Sequence, residues 1–463
     1  MSNSGLDRLE ESLWLALPAG RRRCTLRAAM EHFRVPGLSL AVIHNGEVLG
    51  ARAYGVAAAD DPSPVSVHTR FQACSISKAV TSIGLLRLVQ SGLIDLDRDV
   101  NDMLRTWQIP RNADWQPRIS LRQLASHRGG LSVAGFPGYR ATDQLPTLPE
   151  VLAGAPPANT RGVRAELPPG LRFRYSGGGT TVLQQVLEDT QGVGFAALMR
   201  HLVLEPAGMT DSGFSTRCEG DVEVASGHDW EGEVLPGRFR RYPELAAAGL
   251  WSTAADLARL VTLLEGCLDG SGDLLESALA RSTIVRPLAQ ITGSGLFDGV
   301  GVGFFLGAAG GGRYFGHAGS NAGFRCLLLG EQTQRVGLVV MTNGEDGAGL
   351  VRAIVEAAAE AFGWPGAGQL DITRVGRREP SAPGSGWKVF VGPAGQRLRL
   401  SVGDGIAVAE FDGQAPLRFI QGDDAEFTAE EVGTRLTLGH ANGVTDHVHV
   451  TDDTDQMTFH PDV

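Results

Sequence analysis

The chain has 463 residues, of which 43% are hydrophobic and 20% are charged, and these fractions are typical of a globular protein. Its formal net charge of −11 disfavours nucleic acids and anionic membranes as its main partners. No apolar run approaches the ~20 residues that a membrane-spanning helix needs. The sequence leaves the oligomeric state open.

The N-terminal segment, residues 1–11, is polar and acidic and lacks the basic start and apolar core of a secretion signal. The five cysteines are scattered without the paired spacing of a zinc site, and their odd number argues against a disulfide framework. We therefore expect a cytoplasmic protein with reduced thiols. Among these cysteines, Cys74 is expected to be a small buried side chain.

The first part of the chain combines helical and strand-like patterns. Asn45-Gly46 is typical of a tight turn between two strands. From Ser75 to Gln90 the apolar residues recur at helical spacing, and Gly92 ends this helix. The other predicted elements are helices over residues 6–17 and 24–34, and strands over 38–43 and 48–54.

The middle of the chain, from about residue 96 to 290, is a mixture of helix and loop, and strand-like runs return only after it. Strands at both ends, without alternating strand–helix units, predict an α+β fold. In this fold one antiparallel sheet is closed by the two ends of the chain, helices cover its faces, and the middle forms a helical insertion. The predicted elements are helices near 120–126, 180–191, 195–205, 253–266 and 350–362, and strands at 300–306, 313–317, 324–330 and 335–342.

The composition changes near residue 373, where a segment rich in Arg, Pro, Gly and Ser is typical of a linker. The predicted organisation is therefore a main domain over residues 1–372, a linker over 373–386, and a small C-terminal all-β, barrel-like module over 387–463. Short strands separated by Gly and Asp turns predict four or more strands in this module.

Only two of the 41 basic residues are lysines, Lys78 and Lys388. Lys78 follows Ser75 by three positions at the predicted start of a helix, so the two side chains share one helix face. A desolvated lysine can lose its proton and activate a hydroxyl group, which an arginine cannot do. The backbone N–H of a serine at this position is not used by the helix and can face a developing negative charge. Alternatively, Ser75 is a helix cap and Lys78 is exposed.

Tyr175 is one of only five tyrosines, and it lies in a Gly-rich turn before a predicted helix. There a phenol can project into a cleft and transfer protons if nearby cations stabilise the phenolate. Four arginines precede it, and one of them, Arg174, is a candidate for binding a substrate carboxylate. A solvated basic loop is the simpler interpretation of this cluster, whose members are Arg161, Arg164, Arg172 and Arg174.

His317 lies at the end of a predicted strand between glycines, which leaves room for a ligand to approach the strand edge. The N–H of Ser320, a little further along, is a candidate second donor to an oxyanion. Gly319 and Asn321 in the same segment are candidate substrate contacts.

Taken together, these motifs resemble those of the serine β-lactamase and penicillin-binding protein superfamily, in its class C branch, which also includes esterases, D-peptidases and acyltransferases. That family has a Ser-x-x-Lys, a Tyr-x-Asn and a Lys/His-x-Gly motif in this order, and the resemblance covers roughly residues 20–365. The matching segments are Ser75-Ile76-Ser77-Lys78, Tyr175-Ser176-Gly177 and His317-Ala318-Gly319, with flanks at Leu124-Ala125-Ser126-His127-Arg128-Gly129-Gly130-Leu131 and Met341-Thr342-Asn343-Gly344.

The resemblance implies a role for each residue. Ser75 would be the nucleophile that forms an acyl-enzyme, and Lys78 would accept its proton. Tyr175 would activate the leaving group and then the acyl acceptor. The N–H groups of Ser75 and Ser320 would hold the oxyanion, and His317 would orient the substrate or tune Tyr175.

Two departures from the family pattern count against antibiotic hydrolysis. Gly177 stands where β-lactamases have Asn, so an amide that holds the acyl group is missing. His317 stands in place of Lys, and a mostly neutral imidazole binds a carboxylate weakly.

We therefore expect a serine hydrolase or acyltransferase that acts on a small ester, amide or D-aminoacyl/peptide substrate and needs no metal or cofactor. A β-lactamase or D-alanyl carboxypeptidase is the first alternative. A non-catalytic binding protein on the same fold is the second.

Overall fold

In a computed structural model, the chain forms two compact units, Met1–Arg377 and Arg378–Val463. The predicted linker lies outside the described residues, so its boundaries stay a prediction. The structure describes residues 3–17, 20–111, 116–166, 169–170, 173–217, 223–291, 297–366, 388–391, 397–403, 406–411, 417–421, 426–428, 435–441, 444–451 and 456–461.

The described part of the first unit is a mixture of helices and strands. The strands are β1 (Leu13–Leu17), β2 (Gly20–Cys24), β3 (Gly37–His44), β4 (Glu47–Ala58), β5 (Asp61–Pro64), β6 (Phe71–Gln72), β7 (Gly213–Phe214), β8 (Leu250–Ser252), β9 (Ala289–Gln290), β10 (Gly299–Val300), β11 (Phe305–Ala309), β12 (Gly312–Asn321), β13 (Phe324–Glu331) and β14 (Val336–Thr342). The helices are α1 (Asn3–Glu11), α2 (Leu26–His32), α3 (Ile76–Gln90), α4 (Leu121–Ala125), α5 (Leu148–Ala153), α6 (Gly177–Gln191), α7 (Phe195–Met199), α8 (Leu245–Ala248), α9 (Ala254–Asp269), α10 (Ser277–Thr283) and α11 (Gly347–Phe362).

A large antiparallel sheet organises the first unit, with the strand order β5-β4-β3-β14-β13-β12-β11-β10-β9 among the described residues. Its central pair joins β3, from near the N-terminus, to β14, from near the end of the unit. This is the predicted closure of one sheet by both ends of the chain. Both central strands are almost wholly buried because helices cover both faces, with α9 on one side and α1 and α11 on the other.

The predicted hairpin is confirmed. Asn45 and Gly46 join β3 to β4 with φ angles of +54° and +78°. Two successive positive φ values are typical of a two-residue turn whose twist matches that of the flanking strands. Asn and Gly are the residues that adopt this backbone at low cost.

The predicted helix over residues 6–17 is wrong in its second half, where β1 pairs with β2. Leu13 and Leu15 are buried, whereas Trp14 between them packs beneath the guanidinium groups of Arg21 and Arg23 at 5.2 and 4.8 Å from its ring centroid. This alternation has a period of two residues and therefore specifies a strand. The apolar run simply continued the helical pattern of α1.

The second unit is a closed antiparallel barrel formed by eight strands of the described residues, around a core that includes Phe390, Phe419 and Phe459. The barrel-like all-β prediction is confirmed, and several of its strands escaped sequence analysis because they are short and weakly apolar. Its strands are β15 (Lys388–Val391), β16 (Arg397–Gly403), β17 (Ile406–Phe411), β18 (Leu417–Gln421), β19 (Glu426–Thr428), β20 (Arg435–Ala441), β21 (Val444–Thr451) and β22 (Gln456–Pro461). Across the described residues of both units, every helix is too short or too polar to traverse a lipid bilayer.

Candidate active site

Ser75 lies at the N-terminal cap of α3, immediately after a sharp turn in the backbone. The turn is made by Cys74, whose φ of +52° is unusual for a residue other than glycine. Strand β6, just before this turn, is fixed by pairing with β8. In the described part of the chain, the N–H of Ser75 has no backbone acceptor, so it is free to bind an incoming oxygen. Cys74 itself is fully buried, as predicted.

Lys78 is buried one turn into α3, with only 5% of its surface exposed. Its Nζ donates a hydrogen bond to Ser75 Oγ at 3.0 Å and another to the carbonyl oxygen of Ala247 at 2.8 Å. Ala247 lies in the short helix α8, which packs against α3. The structure therefore excludes the alternative of an exposed lysine, and it places the amine within proton-transfer distance of the hydroxyl.

Tyr175 is brought to the same place by the turn that begins α6. Ser176 caps this helix by accepting a hydrogen bond from the N–H of Gly179 at 2.9 Å. The ring of Tyr175 lies over the amine of Lys78, with its centroid 5.2 Å from Nζ. Its side chain is partly exposed, so a ligand in the cleft can contact it.

The third motif lies on β12, along a stretch of strand edge that is open. Strand β11 pairs with β12 only as far as Gly316, whereas β13 continues to pair with it up to Asn321. Among the described residues, the segment from His317 to Asn321 therefore has a strand partner on one edge only. Ser320 in this segment is exposed, consistent with an accessible backbone, and its role as an oxyanion donor stays a prediction.

Gly319 allows this strand to lie against the turn that carries Ser75. A Cβ atom at Gly319 would lie 2.4 Å from the sulfur of Cys326, 2.8 Å from the carbonyl oxygen of Ala73 and 2.9 Å from Cβ of Cys74. Two of these three neighbours belong to the segment just before the serine. The glycine of the motif is therefore needed for close packing at the site.

We predict that Gly319→Ala lowers the free energy of unfolding by about 1–3 kcal/mol, because the added methyl group overpacks this contact. Gly213→Ala is the matched control, since a Cβ there meets nothing within 4 Å and Gly213 also lies in a strand. Chemical denaturation of both variants measures the difference. Equal stability of the two variants would contradict the packing described here.

His317 is buried and uncharged. Its Nδ1–H donates to the carbonyl oxygen of Ala318 at 2.6 Å, and its Nε2 has no hydrogen-bond partner among the described residues. Burial, and secondarily the charge of Lys78, lowers the pKa of His317 to about 3. The imidazole therefore carries no charge at neutral pH, which agrees with the expectation that it binds a carboxylate weakly.

His127 is a second buried imidazole at the site, and sequence analysis noted it only within a flanking segment. Its ring lies 4.3 Å from that of Tyr175, centroid to centroid, and its Nδ1 accepts a hydrogen bond from the N–H of Ser176 at 3.2 Å. Burial, followed by the charge of Lys78, holds the pKa of His127 well below its usual range. The φ of His127 is +53°, a left-handed conformation that is strained for a residue other than glycine, and the sequence alone does not reveal it.

Phe305 connects these rings. Its centroid lies 4.9 Å from that of His317, 6.2 Å from that of Tyr175 and 6.3 Å from that of His127. An aromatic side chain in contact with all three excludes water from one side of the site and accounts for the neutral imidazoles.

The remaining candidate substrate contacts are already engaged within the protein. The amide nitrogen of Asn321 donates to Gln72 Oε1 at 2.7 Å and to the carbonyl oxygen of Ala248 at 3.2 Å. Arg174 forms an ion pair with Glu166, a buried carboxylate that sequence analysis missed and that also pairs with two other arginines of the cluster. Substrate binding by Asn321 and Arg174 therefore stays a prediction, and both side chains have evident structural partners.

Gly177, the departure from the Tyr-x-Asn pattern, has a structural reason. A Cβ atom at Gly177 would lie 2.8 Å from the ring of Phe136 and 3.0 Å from the carbonyl oxygen of Ala134. The ring of Phe136 therefore occupies the space into which an asparagine side chain would extend.

Glu244 is a fully buried carboxyl group at the start of α8, the helix that supplies the carbonyl group for Lys78. Neither of its oxygens has a hydrogen-bond partner among the described residues, and burial raises its pKa to about 8. From pH 4.5 to about 8 the unfolded carboxyl is ionised while the folded one keeps its proton. The free energy of unfolding therefore falls as the pH rises through this window, by about 1.4 kcal/mol per pH unit.

We predict that Glu244→Gln, which mimics the protonated acid, has the Tm of the wild type near pH 4.5 and a higher Tm at pH 8. Thermal unfolding across this range measures the effect. Glu31→Gln is the control, because the side chain of Glu31 is 70% exposed on α2 and its variant should follow the wild type. A Glu244→Gln curve parallel to that of the wild type would show that Glu244 is not protonated in the folded protein.

The site therefore unites a hydroxyl group with an adjacent amine, a phenol above that amine, an unpaired N–H at a helix start and an open strand edge. Such a set can form and break an acyl bond: the hydroxyl attacks a carbonyl carbon, the amine takes its proton, and backbone N–H groups stabilise the oxyanion.

Comparison with known proteins points in the same direction. The family model described as Beta-lactamase matches residues 23–361. A D-aminopeptidase of Cereibacter sphaeroides (strain ATCC 17029) is 26% identical over 418 residues, covering 88% of this chain and 70% of that protein. Esterase EstB of Burkholderia gladioli is 30% identical over 255 residues, covering 52% of this chain and 62% of the esterase.

Solved structures share the fold. The octameric penicillin-binding protein homologue from Pyrococcus abyssi superposes with a TM-score of 0.65 at 21% identity, covering 94% of this chain and 98% of that chain. The D-amino acid amidase from Ochrobactrum anthropi SV3 has a TM-score of 0.58 at 22% identity, covering 73% of this chain and 98% of the amidase. The family model spans most of the chain and includes all three motifs, which confirms the resemblance found in the sequence. This protein is therefore a member of the beta-lactamase family of hydrolases, in its class C-like branch.

Proposed function

We propose that this protein is a serine hydrolase that acts through a Ser75 acyl-enzyme on small esters and amides, D-aminoacyl compounds among them. The observation that carries the proposal is the 3.0 Å hydrogen bond from Lys78 Nζ to Ser75 Oγ. A second hydrogen bond, from Nζ to the carbonyl oxygen of Ala247, holds the amine in this position. A hydroxyl and an amine at this distance, away from bulk water, form the nucleophile and base of an acyl-transfer site.

In the proposed reaction, Ser75 Oγ attacks the substrate carbonyl carbon and its proton passes to Lys78. The N–H groups of Ser75 and Ser320 stabilise the oxyanion of the tetrahedral intermediate. Tyr175, whose ring covers the lysine amine, delivers a proton to the leaving group. The phenolate of Tyr175 then removes a proton from the water, or other acceptor, that attacks the acyl group. Lys78 returns its proton to Ser75 Oγ as the acyl group is released.

The nature of the site supports small neutral or cationic substrates over anionic ones. The imidazole of His317 is uncharged and Phe136 fills the position of the family's asparagine side chain, so two groups that would hold a penicillin are absent or altered. Relatives named D-aminopeptidase and D-amino acid amidase support D-aminoacyl amides as the first substrates to try.

A screen of D- and L-aminoacyl p-nitroanilides and p-nitrophenyl esters tests the proposal, with Ser75→Ala as the reference variant. We expect turnover by the wild type and a loss of about 10³-fold or more in the variant, because the nucleophile is gone. Equal rates in the two proteins would refute a role for Ser75. Adding amines to the assay separates transfer to water from transfer to an amine, since acyltransferases form amide product at the expense of acid.

Rapid hydrolysis of nitrocefin by the wild type would instead favour the β-lactamase alternative. We predict only slow acylation by β-lactams, because the strand edge carries His317 where β-lactamases have a lysine, and the His317 ring is neutral. The variant His317→Lys provides the comparison, and we expect β-lactams to acylate it faster than the wild type.

A further inference from the structure

The short helix α8 is connected to the rest of the site through its backbone. The carbonyl groups at a helix end have no partner within the helix. In α8, three consecutive carbonyl oxygens each accept a hydrogen bond from a side chain of another element. The three pairs are Ala246 with Thr81 Oγ1 at 3.3 Å, Ala247 with Lys78 Nζ at 2.8 Å, and Ala248 with Asn321 Nδ2 at 3.2 Å. These bonds fix α8 between the helix that carries Lys78 and the strand that carries Asn321.

Asn321, the last residue of β12, connects α8 to the segment just before the nucleophile. Its Nδ2 donates to the carbonyl oxygen of Ala248 and also to Gln72 Oε1 at 2.7 Å. A carbonyl oxygen can only accept, so the Ala248 contact fixes which end of the Asn321 amide faces α8. Gln72 in turn donates from Nε2 to the carbonyl oxygen of Arg240 at 2.7 Å, and it precedes Ser75 by three residues.

Asn321 is also fixed through its own backbone. Its carbonyl oxygen accepts a hydrogen bond from Arg325 Nη1 at 2.8 Å, and the guanidinium of Arg325 forms a buried ion pair with Glu345. The other carboxylate oxygen of Glu345 accepts a hydrogen bond from the N–H of Gly323 at 2.9 Å. The turn between β12 and β13 is therefore firmly held, and the buried side chain of Asn321 extends from it to α8.

The position of α8 matters for proton transfer because the carbonyl group of Ala247 orients the amine of Lys78. A neutral amine has two N–H groups and one lone pair, and the lone pair must point at Ser75 Oγ to accept its proton. An N–H bound to Ala247 restricts the rotation of the amine and leaves the lone pair for Ser75. Ala248 is the next residue, so a bond that holds Ala248 also holds the carbonyl group of Ala247.

We propose that Asn321 is a positioning residue that directs the amine of Lys78 at Ser75 by holding α8 through Ala248. This role rests on the proposed function and adds a residue to it. It differs from the substrate contact that the sequence suggests for Asn321. A substrate contact acts on binding, whereas a positioning residue acts on the reactivity of Ser75.

The test measures two quantities in Asn321→Ala: the rate constant for labelling of Ser75 by a small fluorophosphonate, and kcat and KM with D-alanine p-nitroanilide. We expect the labelling rate constant and kcat to fall by about 10-fold or more, because the nucleophile and its base lose their alignment. KM should change by less than about 3-fold. Asn321→Asp keeps the size of the side chain but has no N–H to donate, so its losses should be at least as large. This second variant guards against a loss of fold in Asn321→Ala.

Asn343→Ala is the matched control, because Asn343 is an equally buried amide whose contacts lie on β3 and β4. It accepts from the N–H of Gly37 at 2.7 Å and donates to the carbonyl oxygens of Val56 and Ala57 at 3.2 and 3.1 Å. We expect this variant to have a lower Tm than the wild type and a labelling rate constant within about 3-fold of it. Slowing equal to that of Asn321→Ala would trace the effect to general destabilisation and overturn the positioning role.

The two proposals fail in different ways. If the probe does not label Ser75 in the folded wild type, the proposed function and the positioning role fall together. If the wild type is labelled and Asn321→Ala is labelled at the same rate, only the positioning role is wrong. A raised KM in that variant would then make Asn321 a substrate contact.

Discussion

Lys78→Arg is expected to lower kcat/KM by about 10²–10⁴-fold while the protein keeps its fold. The chain uses arginine for nearly every other cation, so the substitution replaces Lys78 by the basic residue that this protein ordinarily uses. Arginine stays protonated and cannot take the proton of Ser75. Its larger head group must also fit between Ser75 Oγ and the carbonyl oxygen of Ala247, where the amine now lies.

Lys388→Arg is the matched control, because Lys388 is the chain's only other lysine and is exposed on β15 of the barrel. It should leave kcat/KM unchanged. Circular dichroism and Tm establish that both variants are folded. Turnover by Lys78→Arg within about 3-fold of the wild type would show that another group accepts the proton of Ser75.

Tyr175→Phe is expected to lower kcat by a similar factor, about 10²–10⁴-fold. The substitution removes the phenol oxygen and preserves the ring, which contacts His127, Phe305 and the amine of Lys78. The packing of the site should therefore survive and the loss should fall on proton transfer. Substrates with better leaving groups need less protonation. The loss of kcat in Tyr175→Phe should therefore be smaller for p-nitrophenyl esters than for amides.

Tyr54→Phe is the control for this experiment, since its phenol donates to Glu10 at 2.5 Å on α1 and has no part in the site. Its effect should be confined to stability. A Tyr175→Phe variant that is equally impaired on amides and activated esters would contradict proton donation to the leaving group.

The outline of the site was predictable from the sequence because its spacing is local. Ser75 and Lys78 lie three residues apart on one helix, and this spacing brings their side chains together before any tertiary structure is considered. The hairpin at Asn45-Gly46 was predictable for the same reason. The resemblance to a known family then joined the tyrosine and histidine motifs, which are distant in sequence.

The parts that escaped prediction depend on contacts between distant segments. His127 contacts Tyr175 only because the loop after α4 packs against the turn before α6. Glu166 forms ion pairs with arginines of the surrounding loop, and its carboxylate is buried. Gly177 suggested a missing amide, but only the structure shows that Phe136 takes its place. The sequence pattern favours a helix at β1 because the apolar residues there continue the helical pattern of α1.

The most direct test of the account is to trap the covalent intermediate. The wild type is mixed with a D-aminoacyl ester, quenched in acid during turnover, and analysed by intact-mass and peptide mass spectrometry. The account predicts one added acyl group on the peptide that contains Ser75, and no addition in Ser75→Ala. An acyl group on a different residue, or turnover equal to the wild type's in Ser75→Ala, would contradict it.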